Sequence, residues 1–456
     1  MKRTIKEIAN WLHIEHTDFP DVVVEGVSID TRTIRKGDLF IPFRGEAVNG
    51  HKYVEQAFEK GAAAALWLKD EPNPPKDRPI LLVDDAEHAL QQLARAYRRR
   101  HGAKFIGVTG SNGKTSSKDI MASMLSPYFK VQKTIGNYNN QLGLPITLLN
   151  LDEDTEIAVL EMGMSGFGEI EFLTKLAEPH LAIITNIGEA HMQDLGSREG
   201  IAQAKFEIIQ GLNSDGVLFY DGDEPLLLNL VEKQSQLKSK SFGFQEGNDL
   251  TVTSIETTEK GSRFTVNGEL EGDFFIPVLG KHQVKNALNA MLAGKALGLD
   301  EEQIRHGLSQ VFLTDMRMQL VPTKKGILFI NDAYNAAPTS MTAAIQFVQS
   351  TSLREDKWLV LGDMLELGEN EKPFHEQIAT VIDSENISRV CMFGPRMKWL
   401  YEQLKYQFSE ERLLYTENHY DEIVAYINEH AKADKTLILL KGSRGMKLET
   451  ILESFL

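Results

Sequence analysis

One segment constrains this chain more than any other. The apolar run Phe105-Ile106-Gly107-Val108 leads into Gly110-Ser111-Asn112-Gly113-Lys114-Thr115, and then into a helical pattern with Ile120, Met121, Met124 and Leu125 on one face. A buried strand that turns sharply into a helix aims successive backbone N–H groups at one point, and glycines at 110 and 113 permit the dihedrals this requires. Lys114 adds a positive charge, Thr115 offers a hydroxyl to a magnesium ion, and the helix presents its positive end. Together these groups bind the phosphates of ATP. The loop departs from the general pattern G-x-x-x-x-G-K-[ST], because Val108 stands five positions before Gly113 and the nearest glycines are Gly107 and Gly110. The plainer reading, a glycine turn with a solvated lysine, does not account for strand, loop and helix appearing in order.

A phosphate loop of this kind commits its surroundings to a parallel sheet covered by helices, and the flanking sequence agrees. Apolar strand patterns recur at Ile157 to Leu160 and at Leu181 to Thr185, separated by helical segments. Between about 240 and 278 the pattern changes to short alternation with Gly and Asn turns (SRFTVNG, GDFFIPV), which predicts an appended small antiparallel sheet. Before the loop, residues 1–84 mix short helices and strands and end at the Pro-rich EPNPPKDRP and the strand Ile80 to Val83. After it, candidate strands at Ile327 to Ile330, Trp358 to Leu361, Val390 to Phe393 and Leu437 to Leu440 alternate with helices. A chain of 456 residues accommodates about three domains at roughly 100 to 200 residues each. The expectation is therefore α/β throughout. It comprises a small N-terminal α/β domain (1–84), a central P-loop ATPase-like domain (85–313) and a C-terminal Rossmann-like doubly wound domain (314–456).

Composition narrows the function. A formal charge of −16 argues against nucleic acid as a partner, while a small phosphorylated substrate held by a local basic cluster is compatible with it. Cys391 is the single cysteine, which excludes an internal disulfide and a thiolate metal site and fits a reducing cytoplasm. At the N-terminus Ile5, Ile8, Ala9 and Leu12 repeat at helical spacing with charges between them, unlike a signal peptide, and no apolar run approaches the ~18 residues of a membrane span. The expectation is a cytoplasmic protein without membrane insertion.

The loop reads TGSNGKT, and other segments accompany it: NYNNQLGLP at 137–145, EMG at 161–163, GEI at 168–170, TNIGEAH at 185–191, DAYNAAPTSM at 332–341 and LGDMLELG at 361–368. In form, order and spacing these resemble the Mur ligases, relatives of folylpolyglutamate synthetases, and the match covers essentially the whole chain. The combination is similar to the branch that adds D-Ala-D-Ala to UDP-N-acetylmuramoyl-tripeptide (UDP-MurNAc-tripeptide). The resemblance implies an ATP-dependent peptide ligase of cell-wall peptidoglycan synthesis, working as a monomer through an acyl phosphate with ATP and two Mg2+ ions. Its small-molecule partners are then UDP-MurNAc-tripeptide and D-Ala-D-Ala.

Site residues follow partly from position and partly from the resemblance. Glu161 ends the strand Ile157 to Leu160, where a carboxylate holds magnesium directly or through water; the bland alternative is a surface glutamate at a strand end. His191, six residues past a strand, reads by position as a solvated loop residue, whereas the resemblance makes it a ligand of the second magnesium. Lys205 lies on the apolar face of Ile201, Ile208, Ile209 and Leu212, where snorkelling of the ammonium to water is the reading from sequence alone. The resemblance implies instead a carbamylated lysine that holds magnesium. It also places His282 and Asn286, with Asn289, around the adenine, although Gln283 stands where the family commonly has asparagine. Arg317 is carried over as the arginine that reaches the ATP phosphates when the domains close, and Asp332 and Asn335 as contacts to ribose and base. For Arg317 and Asp332 the position alone suggests only surface salt bridges.

For the acyl substrate the resemblance points to Ser28, Asp30, Thr31, Arg32, Gly45, Asn49 and His51 as the uridine diphosphate pocket, with Asn137 and Asn140 also on the substrate side. Asp363, Glu366, Lys441, Ser443 and Arg444 follow third-domain strands and suit a zwitterionic dipeptide. Two alternatives stand beside this reading: another Mur or folylpolyglutamate-type ligase, and a phosphate-loop ATPase switch or motor that makes no covalent product.

Overall fold

A computed structural model describes residues 1–15, 17–45, 48–189, 192–258, 260–313 and 316–456, and the chain falls into two compact units. One comprises 1–109, 128–182 and 207–217; the other comprises 110–127, 183–206 and 218–456.

In the first unit the helix Ile5–Trp11 buries Ile5, Ile8 and Ala9, as their spacing predicts, and starts at a capping box between Thr4 and Glu7. A four-stranded parallel sheet follows, in the order Gly26–Ser28, Asp38–Phe40, Ala64–Leu68, Ile80–Val83. Ala64–Leu68 is buried along its whole length, as a strand covered on both faces must be. Phe40, Ala65 and Trp67 pack against Val54 and Ala57 of the helix Val54–Glu59. The helix Ala86–Arg98, capped by Asp85, buries Leu90, Leu93, Ala94 and Tyr97. Three further parallel strands also belong here, in the order Val131–Lys133, Ile157–Glu161, Lys104–Thr109. Lys104–Thr109, buried from Phe105 onward, delivers the chain to the phosphate loop.

In the second unit, Val217–Asp221 pairs in parallel with Ser239–Gly243, which pairs in parallel with Leu250–Thr258. Gly261–Gly268 and Gly272–Ile276 then add antiparallel partners. The antiparallel strands expected between 240 and 278 are thus present, and they continue the parallel strands Val217–Asp221, Ser239–Gly243 and Leu250–Thr258 instead of forming a separate sheet. Helices Lys281–Ala296 and Glu301–Ser309 pack on the helix Lys114–Leu125 that follows the phosphate loop.

The C-terminal sheet has six strands in the order Gln319–Pro322, Leu328–Asn331, Thr436–Lys441, Asp356–Gly362, Arg389–Phe393, Leu413–Thr416, all parallel except the first. Its strand residues alternate between two cores, as the two-residue period of a strand demands. Ile330, Leu359, Leu361, Val390 and Leu439 face Met341, Ile345, Met397 and Leu400. Phe329, Trp358, Val360, Cys391 and Ile438 face Ile423, Ile427 and Ile451. This is a doubly wound sheet with helices on both faces. Among the described residues no helix is long and apolar enough to cross a membrane.

Candidate active site

The phosphate loop is held open by side chains that the sequence reading passed over. Gly110 has φ 148°, and a Cβ there would lie 1.8 Å from Thr185 Oγ1; Gly113 has φ 81°, and a Cβ there would lie 2.6 Å from Asn286 Oδ1. Both glycines are therefore required by conformation and by close approach. Asn186 accepts from the Asn112 N–H through Oδ1 (2.9 Å) and donates to the Asn112 carbonyl through Nδ2 (3.0 Å), while the Thr185 hydroxyl donates to the same carbonyl. Thr185 and Asn186 open the TNIGEAH segment, so their presence in that run was the available signal. Lys114 Nζ donates back to the Gly110 carbonyl at 2.8 Å. Among the described residues the Ser111 hydroxyl and Asn112 Nδ2 are buried without a hydrogen-bond partner, and the helix Lys114–Leu125 begins directly after the loop. Unsatisfied donors converging at the N-terminus of a long helix, with a lysine at its first position, fit the phosphates of a nucleotide.

Lys205 lies in the helix Arg198–Phe206 and is 1% exposed, so the snorkelling expected from sequence does not occur. Its ammonium is held well below the usual lysine range, first by burial and then by the charge of Lys114. Glu161, the last residue of Ile157–Glu161, is buried; its backbone N–H donates to Thr134 Oγ1, and its Oε1 accepts from Asn139 Nδ2 at 2.9 Å. Asn139 belongs to the NYNNQLGLP run but was not singled out there. Thr115 is buried in the first turn of the phosphate-loop helix. His191 lies outside the described residues. Among those residues no group of three or more His, Cys, Asp or Glu side chains is arranged to cage a metal. Magnesium bound with nucleotide phosphates keeps waters and takes only one or two protein oxygens, and the Thr115 hydroxyl in the one unit and the Glu161 carboxylate in the other are each donors of that kind.

On the nucleotide side, the helix Lys281–Ala296 brings His282 under the charges of Asp332 and Lys441, and burial pushes its imidazole down to about 4, leaving it neutral at physiological pH. Asn286 donates to Gln283 Oε1 (3.0 Å), Gln283 donates to Ser116 Oγ (3.4 Å) and Asn289 donates to Ser117 Oγ (3.0 Å). Gln283 and Asn289 thereby tie their helix to the phosphate-loop helix, and Asn286 holds Gln283 from within its own helix. Asp332 is not in the surface salt bridge its position suggested. Its Oδ2 lies 2.5 Å from Lys441 Nζ, which is 3% exposed, and its Oδ1 accepts from the Met318 N–H at 3.1 Å. Lys441, expected among the dipeptide contacts, is thus engaged by Asp332 and by the Asn335 carbonyl at 3.1 Å. Arg317 stands between Met316 (φ 64°) and Met318 (φ 52°), with its Cζ 4.3 Å from the Tyr334 ring centroid. Two side-chain-bearing residues in the left-handed region cost roughly 1–3 kcal/mol each, strain of the kind that accumulates at functional sites. Asn335 is exposed and its Oδ1 accepts from the Ala336 N–H.

The acyl-substrate residues divide into presented and engaged groups. Arg32 is exposed and forms a bidentate pair with Asp30, whose carboxyl that hydrogen bond holds below the usual range. Thr31 donates to Gln56, and Ser28 is buried with its hydroxyl bonded to the Asp30 carbonyl. Gly45 donates its N–H to the Val48 carbonyl at 2.9 Å. His51 is buried with both ring nitrogens in use: Nδ1 meets Asn49 Oδ1 at 2.8 Å, and Nε2 accepts from the Leu68 N–H at 3.2 Å. It therefore supports the loop rather than offering a free nitrogen to a ligand. Asn137 is exposed, and Asn140 accepts from Leu142 and Gly143, fixing the start of the helix Gly143–Leu149.

Of the dipeptide candidates, Asp363 is fully buried, accepts from the Met397 N–H at 2.9 Å and has its carboxyl pushed up by burial, so it braces the loop around Gly394 instead of facing solvent. Ser443 is likewise buried and accepts from the Leu365 N–H at 2.9 Å. Glu366, exposed with φ 65°, and Arg444, exposed and paired with Glu449, remain accessible.

Comparison with known proteins places three family models on the chain: Mur ligase family, catalytic domain, over residues 23–98; Mur ligase middle domain over 108–294; and Mur ligase, glutamate ligase domain, over 316–444. The UDP-N-acetylmuramoyl-tripeptide–D-alanyl-D-alanine ligase of Bacillus subtilis (strain 168) is 48% identical over 458 residues, covering 100% of this chain and 99% of the relative. Among solved structures, MurF from Acinetobacter baumannii aligns with a TM-score of 0.88 at 29% identity, covering 100% of this chain and 99% of that one. MurF ligase from Thermotoga maritima in complex with ADP aligns with a TM-score of 0.82 at 28% identity, covering 95% and 97%.

Proposed function

We propose, for a chain that belongs to the Mur ligase family, that it joins D-Ala-D-Ala to UDP-N-acetylmuramoyl-tripeptide at the expense of ATP, forming UDP-MurNAc-pentapeptide, ADP and phosphate. It is an ATP-dependent peptide ligase of peptidoglycan synthesis. The observation that carries this reading is kinship along the entire chain with a ligase of that specificity, in a molecule whose phosphate loop is intact. A carboxylate does not condense with an amine in water, so the tripeptide's terminal carboxylate first takes the γ-phosphoryl group as an acyl phosphate. The dipeptide amine then attacks the acyl carbon, and the tetrahedral intermediate expels phosphate as the peptide bond forms.

Lys114 neutralises charge on the transferring phosphoryl group, with Arg317 assisting. Thr115, Glu161, His191 and a carbamylated Lys205 are the groups we assign to Mg2+. When bound, the metal supplies positive charge against the phosphate oxygens. His282 and Asn286 serve the adenine, and Asp332 and Asn335 the ribose and base. Arg32, Asp30 and Thr31 receive the uridine diphosphate, with Ser28, Gly45, Asn49 and His51 shaping the turns behind them and Asn137 and Asn140 on the sugar-peptide side. Glu366 and Arg444 are the accessible groups for the dipeptide termini, with Asp363 and Ser443 bracing their loops. We assign boundaries of 1–84, 85–313 and 314–456 to the three domains, and a monomer acting in the cytoplasm.

The test is phosphate release by the purified protein with ATP and Mg2+, offering UDP-MurNAc-tripeptides ending in diaminopimelate or lysine, with and without D-Ala-D-Ala, followed by product mass. Release that needs both substrates and yields the pentapeptide mass is expected. Phosphate released equally fast without either substrate would instead mark an ATPase switch or motor.

A further inference from the structure

We propose that Tyr334 is a positioning residue for Arg317, fixing the guanidinium before the nucleotide arrives; the inference rests on the reading that Arg317 serves the ATP phosphates. Three features converge on that arginine. Its Cζ lies 4.3 Å from the Tyr334 ring centroid, within the range of a cation–π contact, and its Nε is buried with no hydrogen-bond partner among the described residues. A guanidinium stacked on an aromatic face satisfies its plane against the ring and leaves the outer N–H fork for an anion. Its backbone is held as tightly, because the left-handed turn through Met316 and Met318 is pinned where the Met318 N–H donates to Asp332 Oδ1 at 3.1 Å. Asp332 is in turn clamped by Lys441, which also bonds the Asn335 carbonyl. Residues 332–335 therefore grip Arg317 at both ends, Asp332 at the backbone and Tyr334 at the guanidinium. A long side chain without such a grip would have to be ordered in every turnover, lowering the fraction of encounters that reach the transition state.

Removing the ring while keeping bulk, Tyr334→Leu, is expected to lower kcat/KM for ATP by about 10-fold, with Tyr334→Phe restoring most of it because the ring, not the hydroxyl, makes the contact. Arg317→Ala is expected to lose more, and Tyr334→Leu is expected to add nothing in the Arg317→Ala background, since coupled residues are not additive. A purely structural tyrosine would give additive losses. In the full-length protein with labelled arginine, the Arg317 Nε–H resonance is expected upfield from the ring current and displaced downfield in Tyr334→Leu. If that variant does not fold, Tyr334→Met is read the same way. Tyr334→Leu with unchanged kcat/KM, or losses that add to those of Arg317→Ala, would overturn the positioning role while leaving the ligase reading intact. Full activity in Arg317→Ala would overturn the assignment of Arg317 itself, and this inference with it.

Discussion

Lys205 carries two penalties at once: it is almost completely buried, and the charge that acts on it is a second ammonium, Lys114. Both favour the neutral amine, which is the form that adds to carbon dioxide, making an N–C bond and releasing a proton to leave a carbamate. The product is an anion beside Lys114 and so relieves the repulsion that produced it. Peptide mapping of the protein equilibrated in bicarbonate is expected to show Lys205 heavier by one carbon dioxide, the added mass disappearing on acidification. Lys205→Ala is expected to lower kcat on the order of 100-fold, the scale seen when groups that tune a metal site are removed. Unmodified Lys205 in bicarbonate, together with full activity in Lys205→Ala, would reject the carbamate. The sequence put Lys205 on an apolar face but could not decide burial, because α-helical spacing was extended through Ile208 to Leu212, where the chain has passed into the 3-10 turn Glu207–Gly211. His51 shows the same limit in reverse: it read as a ligand, and only packing showed that Asn49 and Leu68 already occupy both its nitrogens.

Among the elements, the helix Lys281–Ala296 has the most to keep in place, since it carries His282 and Asn286 and packs on the phosphate-loop helix. Its anchor is Lys285, 2.6 Å from Asp221 Oδ1 and 2.9 Å from Asp223 Oδ2, at the ends of Val217–Asp221 and the turn after it. Burial pushes the Asp221 carboxyl up to about 6 despite Lys285, whereas backbone donors from Phe244 and Gln245, with Lys285, hold Asp223 below the usual range. A carboxyl whose folded-state pKa is raised contributes stability that is fully present below the unfolded value near 4 and is lost as pH rises through about 6. Lys285→Met leaves Asp221 buried without its cation, a change worth about 3 kcal/mol. The variant's melting midpoint is therefore expected to fall by several degrees, and by more at about pH 7.5 than at about pH 5. Equal deficits at both pH values would reject Asp221 as the group responsible. Nothing in the sequence marked this anchor, because Lys285 lies more than sixty residues along the chain from the two aspartates it joins. Strands were legible where both faces are covered: Lys104–Thr109, Ile157–Glu161 and Thr436–Lys441 read as unbroken apolar runs. Gln319–Pro322 and Leu413–Thr416 were missed because they are edge strands, half exposed, with neither a continuous nor a cleanly alternating apolar pattern.

At the scale of the molecule, the C-terminal sheet is the part most plainly able to stand alone. Both of its faces are covered, and among the described residues in its two cores only Leu279 comes from before residue 316. A closed pair of cores around six strands gives a cooperative unit, whereas a segment that borrowed its core from elsewhere in the chain would melt without a transition. Residues 316–456 expressed alone are therefore expected to unfold in one calorimetric transition, with an enthalpy on the order of 100 kcal/mol at the midpoint from roughly 0.7 kcal/mol per residue. The fragment retains Arg317, Tyr334, Asp332 and Lys441 but lacks the loop Gly110–Thr115, so it is expected to turn over no ATP even when it folds. Leu279 belongs to the same core cluster as Leu328, Ile330 and Met341, so the fragment, which lacks it, is expected to melt below the same sheet in the full-length chain but without a broader transition, as a cavity does. A broad, enthalpy-poor melt with exposed apolar surface would show that this sheet depends on the rest of the chain, and would move the assigned boundary at residue 314 upstream.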